Sequence, residues 1–153
     1  MGGTCMPIQW SSSVKDAIEI PMENEEFPVE PPIVDFLYLN AESSSYVITF
    51  IPADRASRQE KEIVQIPENS VDGRRIQVRI NEIEKALGGH INRLFHAGDG
   101  DFGFVFADGR QKQLSDVQST AANSQYIYIQ LQDLGMIAQI AFHENQLLKN
   151  QAG

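Results

Sequence analysis

The chain has 153 residues, of which 42% are hydrophobic and 22% charged, which is typical of one globular domain with a hydrophobic core. The formal net charge of −9 argues against a protein that binds nucleic acid through its phosphates, because such proteins need a continuous basic surface. Cys5 is the only cysteine, which excludes an intramolecular disulfide and a multi-cysteine zinc site.

Residues 1–32 differ in composition from the rest of the chain and predict an extended N-terminal arm. They hold five of the seven prolines and six acidic residues against one lysine, a charge of −5. Proline lacks a backbone donor and restricts the residue before it, so residues 27–32 are not expected to form a central strand. The arm also lacks the basic start and apolar centre of a Sec-type signal. We therefore expect a cytoplasmic or virion location.

From residue 33 onward, apolar and polar residues alternate, and this period of two predicts strands. About eight strands are expected, over residues 33–39, 46–51, 62–66, 74–80, 91–95, 102–106, 126–132 and 136–143. Short connections favour antiparallel neighbours. Residues 33–153 are therefore predicted to form one mainly β domain, either an antiparallel β-sandwich or a small barrel.

Two of the predicted strand regions bear on function. Over residues 74–80, the isoleucines and valine at even positions point one way, while Arg75 and Arg79 point the other. Residues 126–143 are predicted to form a C-terminal hairpin, with its turn at Asp133, Leu134 and Gly135. The first prediction rests on alternation alone, and the second rests on alternation together with this turn.

One short helix is predicted at residues 81–88. Asn81 is the expected N-cap, and Glu84 follows three residues later as in a capping box. Gly88 and Gly89 are expected to end the helix. The polar stretch 111–124 fits either a short helix or a loop.

The most tempting motif for chemistry is the loop of residues 96–103, in which Asp99 and Asp101 alternate with glycines. Two aspartates in a glycine-rich loop can offer oxygen ligands to Ca²⁺ or Mg²⁺. The third acidic position and the terminal glutamate of an EF-hand are missing, however, and Asp-Gly is a common hairpin turn. A plain turn is the favoured interpretation.

Catalytic and metal-binding patterns are otherwise weak. His90, His96 and His143 are expected at the ends of elements, and their spacing matches no metal or catalytic motif. No serine lies in a Gly-x-Ser-x-Gly elbow. We therefore predict a protein that is not an enzyme and that needs no metal and no cofactor.

Exposed apolar and basic side chains are the better indication of function. Ile8 and Trp10 lie in an arm without a core of its own, and Phe27 lies among prolines and acids, so these side chains must pack on the body or on another chain. Arg75 and Arg79 belong to the main basic concentration, which is either an acidic-peptide site or a solvated face balanced by nearby acids. These five residues are the candidate partner-binding residues.

Three functions follow, in order of preference. The first is a non-enzymatic structural or interaction module of a larger homo-oligomeric assembly, such as a virion decoration or tail component, in which the arm contacts a neighbouring subunit. The second is an acidic inhibitor or immunity-type protein that binds a basic partner, where charge would speed association. The third is a small hydrolase or binding enzyme. The expected partners are other protein subunits, with no nucleic acid and no membrane.

Overall fold

Six strands form one open antiparallel sheet in the computed structural model, which describes residues 30–53, 60–117 and 121–152. The strands are β1 (Ile33–Asn40), β2 (Ser45–Ile51), β3 (Glu62–Pro67), β4 (Ile91–His96), β5 (Phe102–Phe106) and β6 (Gln111–Gln113). Helix α1 (Val71–Leu87) lies between β3 and β4 in the chain, and helix α2 (Ala121–Ala152) follows a 3-10 turn at Leu114–Asp116.

The sheet consists of two three-stranded meanders whose first strands, β1 and β4, pair at its centre, giving the order β3-β2-β1-β4-β5-β6. Each meander is followed in the chain by a helix. The predicted mainly β, antiparallel body is confirmed. The sheet is open, so the closed barrel is wrong, and the eight-strand sandwich is not confirmed because three of the eight predicted strands form helices.

One face of the sheet carries the hydrophobic core, and both helices contribute to it. Alternate residues of the strands are buried there, among them Leu37, Ile48 and Phe104, together with Ile83 of α1 and Leu134 of α2. Burying an aliphatic or aromatic side chain of this size contributes about 1.5–3 kcal/mol. The alternation that predicted the strands therefore also fixes which side receives the helices.

The face of the sheet opposite helices α1 and α2 carries aromatic side chains that are half-buried. Phe36 and Tyr38 of β1 have ring centroids 5.6 Å apart, and Phe36 is paired with Phe95 of β4. The Phe95 ring lies over Gly103 of β5, where a Cβ atom would overlap the ring. Because glycine has no side chain, the Phe95 ring can lie directly against the backbone of β5 at this position.

Residues 74–80 form part of α1, so the strand predicted there is wrong. Ser70 is the N-cap, and its Oγ accepts a hydrogen bond from the backbone N–H of Gly73 at 2.9 Å, as N-cap serines do. The buried residues of the helix recur every three or four positions, at Gly73, Ile76, Ile80, Ile83 and Leu87. Ile76 and Ile80, which the alternation assigned to one face of a strand, also lie on one face of a helix.

The helix predicted at residues 81–88 is the second half of α1. Asn81 is therefore an interior residue and not the N-cap. The predicted end is confirmed, because Gly88 has a φ of 80° and its N–H donates to the Glu84 carbonyl at 2.7 Å. This left-handed conformation is the one that glycine adopts without a Cβ penalty.

Residues 126–143 lie within the 32-residue helix α2, so the predicted C-terminal hairpin is wrong. Gly135, interpreted as a turn residue, is buried in the interior of the helix. A Cβ atom there would lie 2.7 Å from the carbonyl oxygen of Pro32, which directly precedes β1. The glycine thus allows α2 to approach the backbone closely. In the ambiguous stretch 111–124, the structure shows strand β6 and the 3-10 turn before α2.

Candidate functional site

Helix α2 has two apolar faces. Its inner face is buried, and its apolar residues are four or three positions apart, at Ile127, Leu131, Leu134, Ala138 and Ala141. A second set is exposed to between 43% and 60%, and we call it the outer stripe: Ile129, Met136, Ile140 and Leu147. At 100° per residue these four positions fall within about 40° of one another, along about 27 Å of helix. A surface helix with one buried side ordinarily carries one apolar face, so the outer stripe is an unexpected feature.

Helix α1 lies beside the outer stripe and forms a groove with it. The groove has a volume of about 470 Å³. Its lining consists of Arg75, Val78, Arg79, Asp133, Met136, Ile137 and Ile140. Val78, 47% exposed, extends the apolar surface of the stripe onto α1. The site is therefore a shared outer face of two helices.

Polar contacts hold the two helices together on this outer side. Arg79 Nη1 donates to Gln130 Oε1 at 2.9 Å and lies 3.3 Å from Asp133 Oδ2. Further along α1, the hydroxyl of Tyr126 donates to the carboxylate of Glu82. That hydrogen bond lowers the pKa of Glu82 and raises the pKa of Tyr126.

The structure brings two of the five predicted partner-binding residues together. Arg75 and Arg79 are one helical turn apart on α1 and both line the groove, as residues at i and i+4 do. Arg79 is engaged with α2, whereas the Arg75 side chain is 65% exposed and lies 3.8 Å from Asp72. Ile8, Trp10 and Phe27 lie outside the described residues.

The Asp99/Asp101 loop is the turn of the β4–β5 hairpin. Asp101 accepts hydrogen bonds from the backbone N–H of Phe102 at 2.9 Å and from the N–H and hydroxyl of Ser115, at 2.9 and 2.8 Å. Partial burial alone would raise the pKa of Asp101, but these hydrogen bonds outweigh it and hold the pKa below its usual value. Both oxygens of this carboxylate thus join the turn to the segment after β6.

The three histidines lie in different surroundings. His90 Nδ1 is 3.7 Å from Glu84 Oε2, and the His96 ring is 5.2 Å from that of Phe102. His143, predicted to end a strand, lies on α2 beside Phe142. Across the described residues, no three His, Cys, Asp or Glu side chains are grouped to hold a metal ion.

A second concavity, of about 690 Å³, lies around the C-terminal end of α1. It is larger than the groove, but five of its eight lining residues are polar or charged, and they come from α1 and the residues that follow it, including Glu82, Lys85 and His90. The groove is the better candidate for protein contacts because four of its seven lining residues are apolar, among them Met136 and Ile140 of the outer stripe.

None of the known protein families, curated proteins or solved structures with which the chain was compared matches it. Among the described ranges, no helix has both the length and the apolar content needed to cross a membrane. What the protein does is therefore argued from its own surface.

Sequence reasoning missed the outer stripe because it treated α2 as a hairpin. With a period of two, Ile127 and Ile129 lie on the same face, whereas on a helix they are about 200° apart. The signal that identifies the helix is present in the sequence, in the four-three spacing of residues 127, 131, 134, 138 and 141.

Proposed function

We propose that the protein is a non-enzymatic interaction module of a homo-oligomeric assembly and that it associates through the outer face of α1 and α2. The observation that carries this proposal is the alignment of four exposed apolar side chains in the outer stripe. Single exposed apolar residues are ordinary on protein surfaces, but a contiguous apolar patch with a polar rim is typical of protein–protein contacts.

The two arginines that line the groove suit the composition of the N-terminal arm. Arg75 and Arg79 are cationic, and residues 1–32 carry a charge of −5. We propose that the arm of a neighbouring subunit places its acidic residues near these arginines, with Ile8, Trp10 or Phe27 against the α1 side of the groove at Val78. Opposite charges at a rim favour one orientation of approach and raise the association rate.

The proposal is tested by the oligomeric state of the full chain. Sedimentation equilibrium should show a concentration-dependent oligomer, and Ile140→Lys should weaken the association at least tenfold, because it places a charge in the stripe. Ile63→Lys is the matched control, since Ile63 is 62% exposed but belongs to the edge strand β3. It should leave the association unchanged.

Two results would count against the proposal. One is a wild-type protein that stays monomeric at several hundred micromolar. The other is equal weakening by both lysine variants, which would mean that the stripe has no special role. A monomer would favour the acidic inhibitor instead, whose signature is binding to a basic protein with an association rate that falls as salt rises. The virion setting stays a prediction.

A further inference from the structure

The outer stripe is symmetric about residue 138. Ile129 and Leu147 lie nine residues on either side of Ala138, and Met136 and Ile140 lie two residues on either side. Two polar residues at the edges of the stripe follow the same rule, because Asp133 and His143 lie five residues on either side. At 100° per residue, these two also fall within about 40° of the centre of the stripe.

We propose that α2 pairs with α2 of a second copy in an antiparallel arrangement, with a two-fold axis at the level of Ala138. This inference rests on the proposed function and specifies its partner and register. Isologous contacts require that residue i of one copy meets residue j of the other and that j meets i in return. The spacing of the stripe satisfies this condition at every apolar position.

The pairing puts apolar groups opposite apolar groups throughout. Ile129 faces Leu147 of the second copy, and Met136 faces Ile140 of the second copy near the axis. The groove beside Met136 and Ile140, with Val78 on its α1 side, can receive an apolar side chain of the other helix, as a knob enters a hole between helices.

Charge favours the antiparallel over the parallel arrangement. In the antiparallel pair, the two Asp133 carboxylates are about 15 Å apart along the helix axes, and each lies at the level of His143 of the second copy on the other edge of the stripe. In a parallel pair in register, Asp133 would lie opposite Asp133, and like charges opposite each other oppose association. The same sequence therefore disfavours the parallel alternative.

The outer stripe alone is smaller than a typical stable interface. A stripe about 27 Å long on a helix about 11 Å wide covers roughly 300 Å² per copy, well below the 800 Å² or so per partner of a typical stable interface. Val78 and the arginines of α1 add to this area. We assign the remainder to the N-terminal arm of the neighbouring copy.

Site-directed cross-linking of the full chain tests the register. In a Cys5→Ser background, one protein carries Ile129→Cys with a size tag, and another carries Leu147→Cys without the tag. Both positions are exposed, at 51% and 60%, so the substitutions should leave the fold intact. The two proteins are mixed, oxidised mildly and separated on non-reducing gels.

The antiparallel register predicts a mixed disulfide that forms at least ten times faster than either homodimeric disulfide. In this register, two copies of residue 129 are about 27 Å apart, far beyond the 4.4–6.8 Å between Cα atoms of a disulfide. A protein with Ile63→Cys is the control for random collisions, and it should cross-link slowly with both partners.

Preferential homodimeric disulfides, in a protein that still associates, would overturn the antiparallel register and leave the proposed function standing. Cross-linking no faster than the Ile63→Cys control, in a protein that sedimentation shows to be oligomeric, would place the interface away from α2. A monomeric protein would overturn both proposals.

Discussion

Replacing Gly135 by alanine tests the close approach of α2 to the chain before β1. In an open helix the change would stabilise the fold by about 1 kcal/mol, because alanine is the better helix former. Here the added Cβ would lie 2.7 Å from the oxygen and 3.2 Å from the carbon of the Pro32 carbonyl. Overpacking costs about 1–3 kcal/mol, and a buried backbone carbonyl cannot turn away as a flexible side chain can.

We therefore expect Gly135→Ala to lower the free energy of unfolding by about 2 kcal/mol, the upper overpacking cost less the helix gain. For a domain of this size, this corresponds to a fall in Tm of about 4–8 °C. Urea denaturation followed by far-UV circular dichroism measures the loss. It should be done at one fixed, low protein concentration, because association raises apparent stability.

Gln125→Ala is the control for helix propensity, since Gln125 is exposed on the same helix. It should change stability by less than about 0.5 kcal/mol. If Gly135→Ala raised the free energy of unfolding by the 1 kcal/mol or so of its propensity gain, α2 would not approach Pro32 closely and this reasoning would be refuted.

Three further predictions concern single side chains. Ser70→Ala removes the N-cap of α1 and should cost about 1 kcal/mol; no loss in urea denaturation would contradict the cap. Leu94→Ala, at a side chain with no exposure, should cost about 2–5 kcal/mol, and Leu39→Ala, 41% exposed, should cost clearly less; equal losses would contradict the assigned core. The lowered pKa of Asp101 means that its carboxylate stabilises the fold above the unfolded pKa of about 3.9, and that this contribution is lost as pH falls through the lower folded pKa. The difference in free energy of unfolding between wild type and Asp101→Asn should therefore be about 1 kcal/mol at pH 7, after allowance for solvent screening, and it should vanish in strong acid. A difference that does not change with pH would contradict this prediction.

The strands were predictable because burial on one face imposes a period of two. The prediction for residues 102–106 matches β5, and those for β1 to β4 agree within about a residue at each end. Alternate positions of a strand lie on opposite faces, so the sequence alone indicates which residues share a face. The antiparallel arrangement followed from the short connections.

The helices were not predictable by the same reasoning, for two physical reasons. In α1, Ile76 and Ile80 satisfy both periods, and β-branched residues carry only a weak preference that tertiary packing overrides. In α2, Gly135 resembles a turn residue, whereas its role depends on Pro32, which is 103 residues away in the sequence. A contact at that distance leaves no local pattern.

The candidate site, like the fold, could be predicted from the sequence only in part. Arg75 and Arg79 were identified from their charge, which does not depend on secondary structure. The outer stripe depends on it entirely, because its four residues share a face only when the chain is helical. Charge could be read from the sequence, but the apolar half of the site required the fold.

Gly103 has a consequence for the behaviour of the protein in solution. A side chain there would lift the Phe95 ring from the sheet and expose it beside Phe36 and Tyr38. Contiguous exposed apolar surface of this kind promotes aggregation. A hydrogen atom in place of a methyl group thus leaves the Phe95 ring against the sheet, and we expect substitution at position 103 to reduce solubility before it reduces the order of the core.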